Sequence, residues 1–309
     1  MAIDSGNGRK TPRRDSYEGN PLLAGISRDY ITFNGTDEST SRDDLSRLGK
    51  VRGYLTADIS TRWADLILIV CFALSGLIDS GAYNAYECFT SMQTGNTIFA
   101  ALGVSNLPVP QPRYAWTKSV CSIIAFLLGA GVFGFLHRAI GERKRWVLAA
   151  SFILQAVMIA VAAHLVARGH ASGSPAKKPS IFGLPSDPGF PWMDLVPIGL
   201  LSFQAAGKIT LSRALQYNGL PVVVLTTIYH DLVTNPAFYT NGLSGNPVRN
   251  RKVAGLVFYF GGAVAGGAFA RSPVGFSGLL WTAAGVTLLI AVAWLFWREE
   301  AEKDEFDES

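Results

Sequence analysis

The sequence predicts an all-α integral membrane protein, with six transmembrane helices arranged as two three-span repeats and a short re-entrant or half-helix segment in each. Three observations carry that expectation. Apolar residues form 49% of the chain and charged residues only 16%, with a mean hydropathy of +0.25. The charge is gathered at the ends: residues 1–62 hold ten basic and nine acidic residues, and residues 298–309 hold two and seven. Between them, 235 positions carry 15 basic and seven acidic residues, too few for a water-facing surface. Finally, six stretches approach the ~20 apolar residues that a helix needs to cross a bilayer.

Residues 1–62 are polar, rich in Ser, Thr, Gly and Asp, and show no apolar period. Such a segment cannot bury enough surface to offset its ordering entropy, so a disordered cytoplasmic arm is expected. Within it, Arg13-Arg14-Asp15-Ser16 fits a basophilic kinase site. The membrane domain follows over 63–297, with halves at about 63–166 and 193–297, and an acidic cytoplasmic tail over 298–309. The six spans are expected at about Trp63–Tyr83, Lys118–His137, Trp146–Val166, Met193–Leu215, Val253–Arg271 and Phe276–Trp297. Trp63, Trp116, Trp146, Trp192 and Trp297 fall at or beside their edges, where indoles favour the headgroup layer. The stretch Trp146–Ala163 has only Ser151 and Gln155 as polar side chains, so it has no solvent face.

Two shorter apolar segments, Met92–Val104 and Leu220–Val233, suit re-entrant or buried pieces better than full spans. They also expose an internal repeat. Sliding the sequence along itself until Thr97 meets Thr227 also lays Ile98, Phe99 and Leu102 on Ile228, Tyr229 and Leu232. At nearly the same shift the Gly-rich second span (Gly129, Gly131, Gly134) covers the Gly-rich fifth (Gly261, Gly262, Gly266, Gly267). Three spans per half give the halves opposite orientations. With both termini cytoplasmic, 14 basic residues near span ends lie inside and six outside. An eight-span arrangement scores the same, so segment length decides for six.

Polar groups at membrane depth mark the expected substrate-binding residues. Asp79 sits near the end of an uncharged span, and Lys208 falls beside its mate in the second half, so the two are expected to pair across the repeat axis. Gln93, Thr94, Gly95 and Asn96 open the first short segment, where a capped helix start presents N–H groups to an anion. Gln204, Thr226, Thr227 and Asp231 are the polar members of the second half. Gly262-x-x-x-Gly266 and Ala130-x-x-x-Gly134 fit close helix packing, within the chain or in a homo-oligomer.

The same sequence excludes other chemistry. No nucleophile–base set, phosphate loop or metal-ligand spacing is present, so no enzyme, cofactor or metal is expected. Cys71, Cys88 and Cys121 are expected to be inert buried thiols. The pI near 9.0 comes from short clusters beside apolar runs, such as Arg143-Lys144-Arg145, which suit anionic headgroups and not nucleic acid.

Gly76-Leu77-Ile78-Asp79 followed by Phe89-Thr90-Ser91-Met92-Gln93-Thr94-Gly95-Asn96-Thr97 resembles the signature of the YoaK-like family of multi-spanning membrane proteins, a domain of unknown function. Phe203-Gln204-Ala205-Ala206-Gly207, with Ser212-Arg213-Ala214-Leu215 and Val224-Leu225-Thr226-Thr227, resembles its filamentous-fungal members. The resemblance covers about residues 60–297 and implies a polytopic membrane protein without naming a substrate. Lys208 departs from the family pattern, in which that place tends to hold an uncharged amide. Two functions follow from the residues: a transporter or channel for a small polar or anionic solute, or a non-transporting scaffold or partner subunit of a membrane complex.

Overall fold

The computed structural model describes residues 47, 49–105, 114–173, 191–217, 219–222, 224–236, 238, 242 and 245–300. The Arg13–Ser16 motif and residues 301–309 of the acidic tail lie outside them. From the first span onward the helices are α1 (Ala64–Tyr86), α2 (Gln93–Ser105), α3 (Trp116–Ile140), α4 (Arg145–Ala167), α5 (Leu195–Ala214), α6 (Leu225–Val233), α7 (Pro247–Arg271) and α8 (Gly275–Leu295). A 3-10 turn, Trp192–Asp194, leads into α5. Six of these helices, all but α2 and α6, are long and apolar enough to cross a membrane. At about 1.5 Å per residue, 20 to 25 residues reach ~30 to 37 Å, the thickness of a hydrocarbon core or slightly more.

Local sequence accounts for the ends. Asn246 accepts the Arg249 backbone N–H at 3.0 Å and Pro247 occupies the first turn, which starts α7 before its apolar run. Gly141, at φ 130°, turns the chain between α3 and α4 with the Lys144 side chain folded against it. Outward-facing residues are large and apolar, including Phe135, Phe260 and Leu289, each more than two-thirds exposed. That surface suits acyl chains and would aggregate in water.

Contacts next to the chain ends fix the number of crossings. Asp58 pairs with Lys144 and Ile59 with Glu299 in antiparallel bridges. Ile59 N–H donates to Arg143 O at 3.0 Å, and Ser60 N–H to Arg298 O at 2.9 Å. Residues 58, 144 and 299 therefore share one membrane face, here called proximal. Between 58 and 144 the crossings must be even in number, so α1 and α3 cross and α2 does not. The same parity between 144 and 299 leaves α6 uncrossed. Six spans result, with α2 on the distal face and α6 on the proximal one.

The expected disordered arm over 1–62 is corrected at its end. Residues 49–56 are helical and Ile59 is fully buried. Arg145 explains the ordering: its guanidinium donates to Tyr54 O, to Trp297 O at 2.9 Å and to Glu299 at 3.2 Å, and lies 3.8 Å from the Tyr54 ring. One buried cation thus ties the approach to α1 and the exit from α8 to the α3–α4 turn.

The halves, α1–α4 and α5–α8, interlock. The first span of each packs along the second span of the other, α1 on α7 and α5 on α3, while the third spans, α4 and α8, pack on each other. Glycines set both close approaches. A β-carbon at Gly262 of α7 would overlap the Ala73 carbonyl of α1, and one at Gly129 of α3 would overlap the Phe203 carbonyl of α5. Ala73 and Phe203 are mates at the shift that lays Thr97 on Thr227, and Gly129 and Gly262 are mates at a slightly longer one. These are mated contacts of one inverted repeat. Gly262 and Gly266 are consumed in this way against α1, because Gly266 meets Ser80. The Gly262-x-x-x-Gly266 face is therefore unavailable to an oligomer. Gly131, Gly261 and Gly267 face open space.

Candidate functional site

Three polar groupings lie within the bundle, and each owes its position to the repeat. The first surrounds Asp79, only 2% exposed and about two turns, ~10 Å, below the end of α1. After α1 the chain turns at Glu87, whose φ of 59° is left-handed, and dips back to that depth. Asp79 Oδ1 accepts from Thr90 N–H, Thr90 Oγ1 and Ser91 N–H, each at 2.9 Å. Its Oδ2 accepts from Ser91 Oγ and from Tyr259 OH of α7 at 3.2 Å. Five donors leave the carboxylate compensated without an ion pair, and no salt bridge joins it to Lys208. The expected Asp79–Lys208 pair is corrected on that ground.

Asn96 extends the grouping. It is fully buried; its Oδ1 accepts Phe89 N–H at 2.9 Å, and its Nδ2 donates to Phe89 O at 2.7 Å and Ser122 Oγ at 2.9 Å. Gln93 Nε2 donates to Thr90 O at 3.0 Å, and Ser122 lies 2.8 Å from Ser202 of α5. Gly95 rests against the Phe89 ring, and Thr94 is exposed. Stacked rings of Tyr83, Phe89 and Phe99 hold α2 to the end of α1. The first short segment is therefore re-entrant, beginning inside the bundle and rising to the distal face.

The second short segment differs. Thr226, Thr227 and Asp231 of α6 are exposed at the proximal face, and only Ile228 and Leu232 of that helix are buried. Asp231 bonds Lys252 at 2.8 Å, which holds its carboxyl below the usual range. The structure does not bring these three residues to the Asp79 grouping. Where the first half has Thr90 and Met92, the second has Leu220 and Val222, both buried, so an apolar plug replaces the polar clamp.

A second grouping follows the seam where α1 meets α5. Cys71, Ser75 and Asp79 recur every four residues along one face of α1, and Gln204 and Lys208 do so along α5. All five are buried. Cys71 and Asp79 are the titratable groups that face Lys208 across this seam. Gln155 of α4, fully buried, lies against the Gly207 backbone, and Ser75 Oγ, Gln155 Oε1 and Gln204 Oε1 have no hydrogen-bond partner. Sequence alone does not single out Gln155 or Ser75 as site residues; the four-residue spacing of Ser75 with Asp79 is the available signal.

The third grouping occurs twice. At the proximal face Arg251 Nε lies 2.7 Å from Asp65 Oδ2, with its guanidinium 5.4 Å from the Tyr217 ring. At the distal face Lys118 Nζ lies 3.5 Å from Asp194 Oδ2 and 5.8 Å from the Tyr86 ring. Asp65 and Asp194, Lys118 and Arg251, Tyr86 and Tyr217 are mates at closely similar shifts along the sequence. Each triad bridges the halves, because its Asp comes from one and its cation and Tyr from the other. Burial pushes the Tyr217 phenol up, and the Asp65 charge adds to that, so it stays protonated and donates to Thr61 O at 3.0 Å.

Two open grooves lie elsewhere on the bundle. One runs along the outer face of α3 beside Leu128 and Phe135, another between His164 of α4 and Trp281 of α8. Both are apolar. Among the described residues no group of His, Cys, Asp and Glu side chains is arranged to hold a metal ion.

A family model described as protein of unknown function (DUF1275) matches residues 67–293. The chain belongs to this DUF1275 family. No curated protein and no solved structure matches it. The match runs from the first turn of α1 to the last of α8, so the family unit in this DUF1275 protein is the whole six-span bundle, with every triad residue except Asp65 inside it.

Proposed function

We propose that this DUF1275 protein is a carrier or channel for a small polar or anionic solute, with a midplane site at the α1–α5 seam and two inverted halves that rock about it. One observation carries the reading: the same Asp–cation–Tyr triad closes both faces at mated positions, and each copy ties one half to the other. A bundle that only anchors other proteins has no use for a matched latch at each face. In a rocking cycle the proximal triad parts while the distal one holds, and then the reverse. Each cation keeps partial access to solvent while its Asp is buried, so a pair can part when its face opens to water.

In this reading Lys208 and Gln204 face the solute. Asp79, Gln93 and Asn96 hold the re-entrant segment against the seam, and Gly95 lets that segment lie close to Phe89. Thr94 opens α2 at its exposed surface; Thr226, Thr227 and Asp231 flank the proximal mouth. The excess of basic residues at proximal span ends supports a cytoplasmic proximal face in this reading. The motifs at Phe89–Thr97 and Phe203–Gly207 support a place in the YoaK-like, filamentous-fungal branch.

A cysteine at Ser75 tests the cycle in proteoliposomes of known orientation. Asp65→Asn should expose Ser75→Cys to an impermeant maleimide from the proximal side, and Asp194→Asn from the distal side. If the thiol is unreactive from both sides in both variants, the halves do not rock and the scaffold reading takes the place of transport.

A further inference from the structure

Arg145 and Arg249, the other buried Arg or Lys side chains among the described residues, are both compensated by the chain. Arg145 has Glu299 and two carbonyls, and Arg249 donates to Phe238 O at 2.9 Å and Gly242 O at 3.0 Å. Lys208 differs. It is 1% exposed, and among the described residues no oxygen accepts from its Nζ. Asp79, the carboxylate on the facing helix, already takes five donors. An ammonium that no acceptor of the chain meets at this depth is expensive. Beside it, three further buried polar atoms lack partners: Gln204 Oε1 one turn earlier, Ser75 Oγ across the seam, and Gln155 Oε1 at Gly207. These come from α1, α4 and α5, whereas the Asp79 grouping a short distance away leaves nothing unmet.

We propose that Lys208 is the counter-ion for a small monovalent carboxylate bound at the α1–α5 seam, with Gln204, Gln155 and Ser75 as its hydrogen-bond partners. This deepens the carrier reading and rests on it. One ammonium answers one carboxylate, and a divalent anion would add a second uncompensated negative charge near the one on Asp79. One carboxylate oxygen accepts from the ammonium and the other from Ser75 Oγ; either amide gives its N–H to the ligand by exchanging the bond that Nε2 now makes to Leu201 O or Ser151 Oγ. A hydroxyl on the carboxylate would serve the remaining acceptor.

Thermal unfolding of the full chain in lipid nanodiscs tests this. Sulfate is replaced at constant ionic strength by formate, lactate, nitrate or chloride. Formate or lactate should raise Tm saturably in the wild type. Lys208→Met should move the half-saturating concentration up by more than about thirtyfold, the loss typical of a buried charge pair. Arg213→Gln, exposed on the same helix, should leave it unchanged. Lys208→Met removes a buried charge at similar volume and should fold. Should it not, Ser75→Ala with Gln204→Met makes the same test, with weaker saturation by about tenfold or more. No saturable response to either carboxylate, or an equal response in Lys208→Met, overturns the proposal; an equal response to all four anions overturns the choice of carboxylate. Binding that needs Lys208 without any flux in proteoliposomes would keep the site and remove the carrier. Flux indifferent to Lys208→Met would do the opposite.

Discussion

Asp79→Ala should destabilise the bundle by about 2 to 6 kcal/mol, because it strands two buried amide donors at about 1 to 3 kcal/mol each. The substitution removes the acceptor of Thr90 N–H and Ser91 N–H, both 2.9 Å from Oδ1. Neither amide has another partner, and both residues are buried. The three hydroxyls add less, because they rotate; Tyr259 OH already lies 3.3 Å from Met92 Sδ. Asp79→Asn keeps the three bonds at Oδ1 and turns an amide toward Ser91 and Tyr259, whose hydroxyls can accept it. About 1 to 3 kcal/mol is expected there, from loss of charge assistance. Unfolding in mixed micelles measures both, and hydrogen exchange should show Thr90 and Ser91 opening ahead of α4 and α8. A cost below about 1 kcal/mol for Asp79→Ala, the lower bound for even one stranded donor, would refute the clamp. So would equal costs for Ala and Asn together with rescue of Asp79→Asn by Lys208→Met, for that pattern belongs to an ion pair.

Gly262→Ala and Gly129→Ala should each cost about 1 to 3 kcal/mol by overpacking against a facing carbonyl. Gly267→Ala and Gly131→Ala meet open space and should not destabilise; thermal unfolding of the four variants ranks them. Single cysteines at Thr226 and Ser105, both exposed, should label with impermeant maleimide from the proximal and the distal face respectively, and the reverse assignment would restore eight crossings. Asp194→Ala should cost more than Asp65→Ala, because Asp194 also accepts Ser172 N–H at 2.8 Å and its side chain is 2% exposed against 10%. A double-mutant cycle with Lys118 and Arg251 would expose the contrary order.

Much of this fold is legible in hydropathy, since five of the six spans begin close to the expected positions. The sixth, α7, begins at Pro247, well before the expected Val253. Its first turns carry Arg249, Arg251 and Lys252, which read as a loop but are met by carbonyls, Asp65 and Asp231. The repeat is visible in its glycines; the triads are not, because their members are spread over both halves and the shift between mates drifts by a few positions. Asp79 is assigned the wrong partner by sequence for a related reason. Repeat symmetry points to Lys208, while the turn at Glu87 brings Thr90 and Ser91 back to it. A non-glycine residue at φ 59° announces nothing in sequence.

The departures from symmetry bear on mechanism more than the symmetry does. At both faces the repeat keeps like with like: Asp with a cation, the cation beside Tyr, glycine on carbonyl. At the seam it does not. Asp79 in one half is answered by Ile209 in the other at the shift that lays Thr97 on Thr227, with Lys208 one position away. The Thr90–Met92 clamp is answered by Leu220 and Val222. In the proposed cycle a latch must work equally at each face, so its two copies stay alike. A site on the axis has to hold one asymmetric guest, and two identical halves would present it with two like charges facing each other. Asp79 is met within its own half and by Tyr259 through five hydrogen bonds, so Lys208 is the group left without an acceptor from the chain, and that is the place the proposed guest would take.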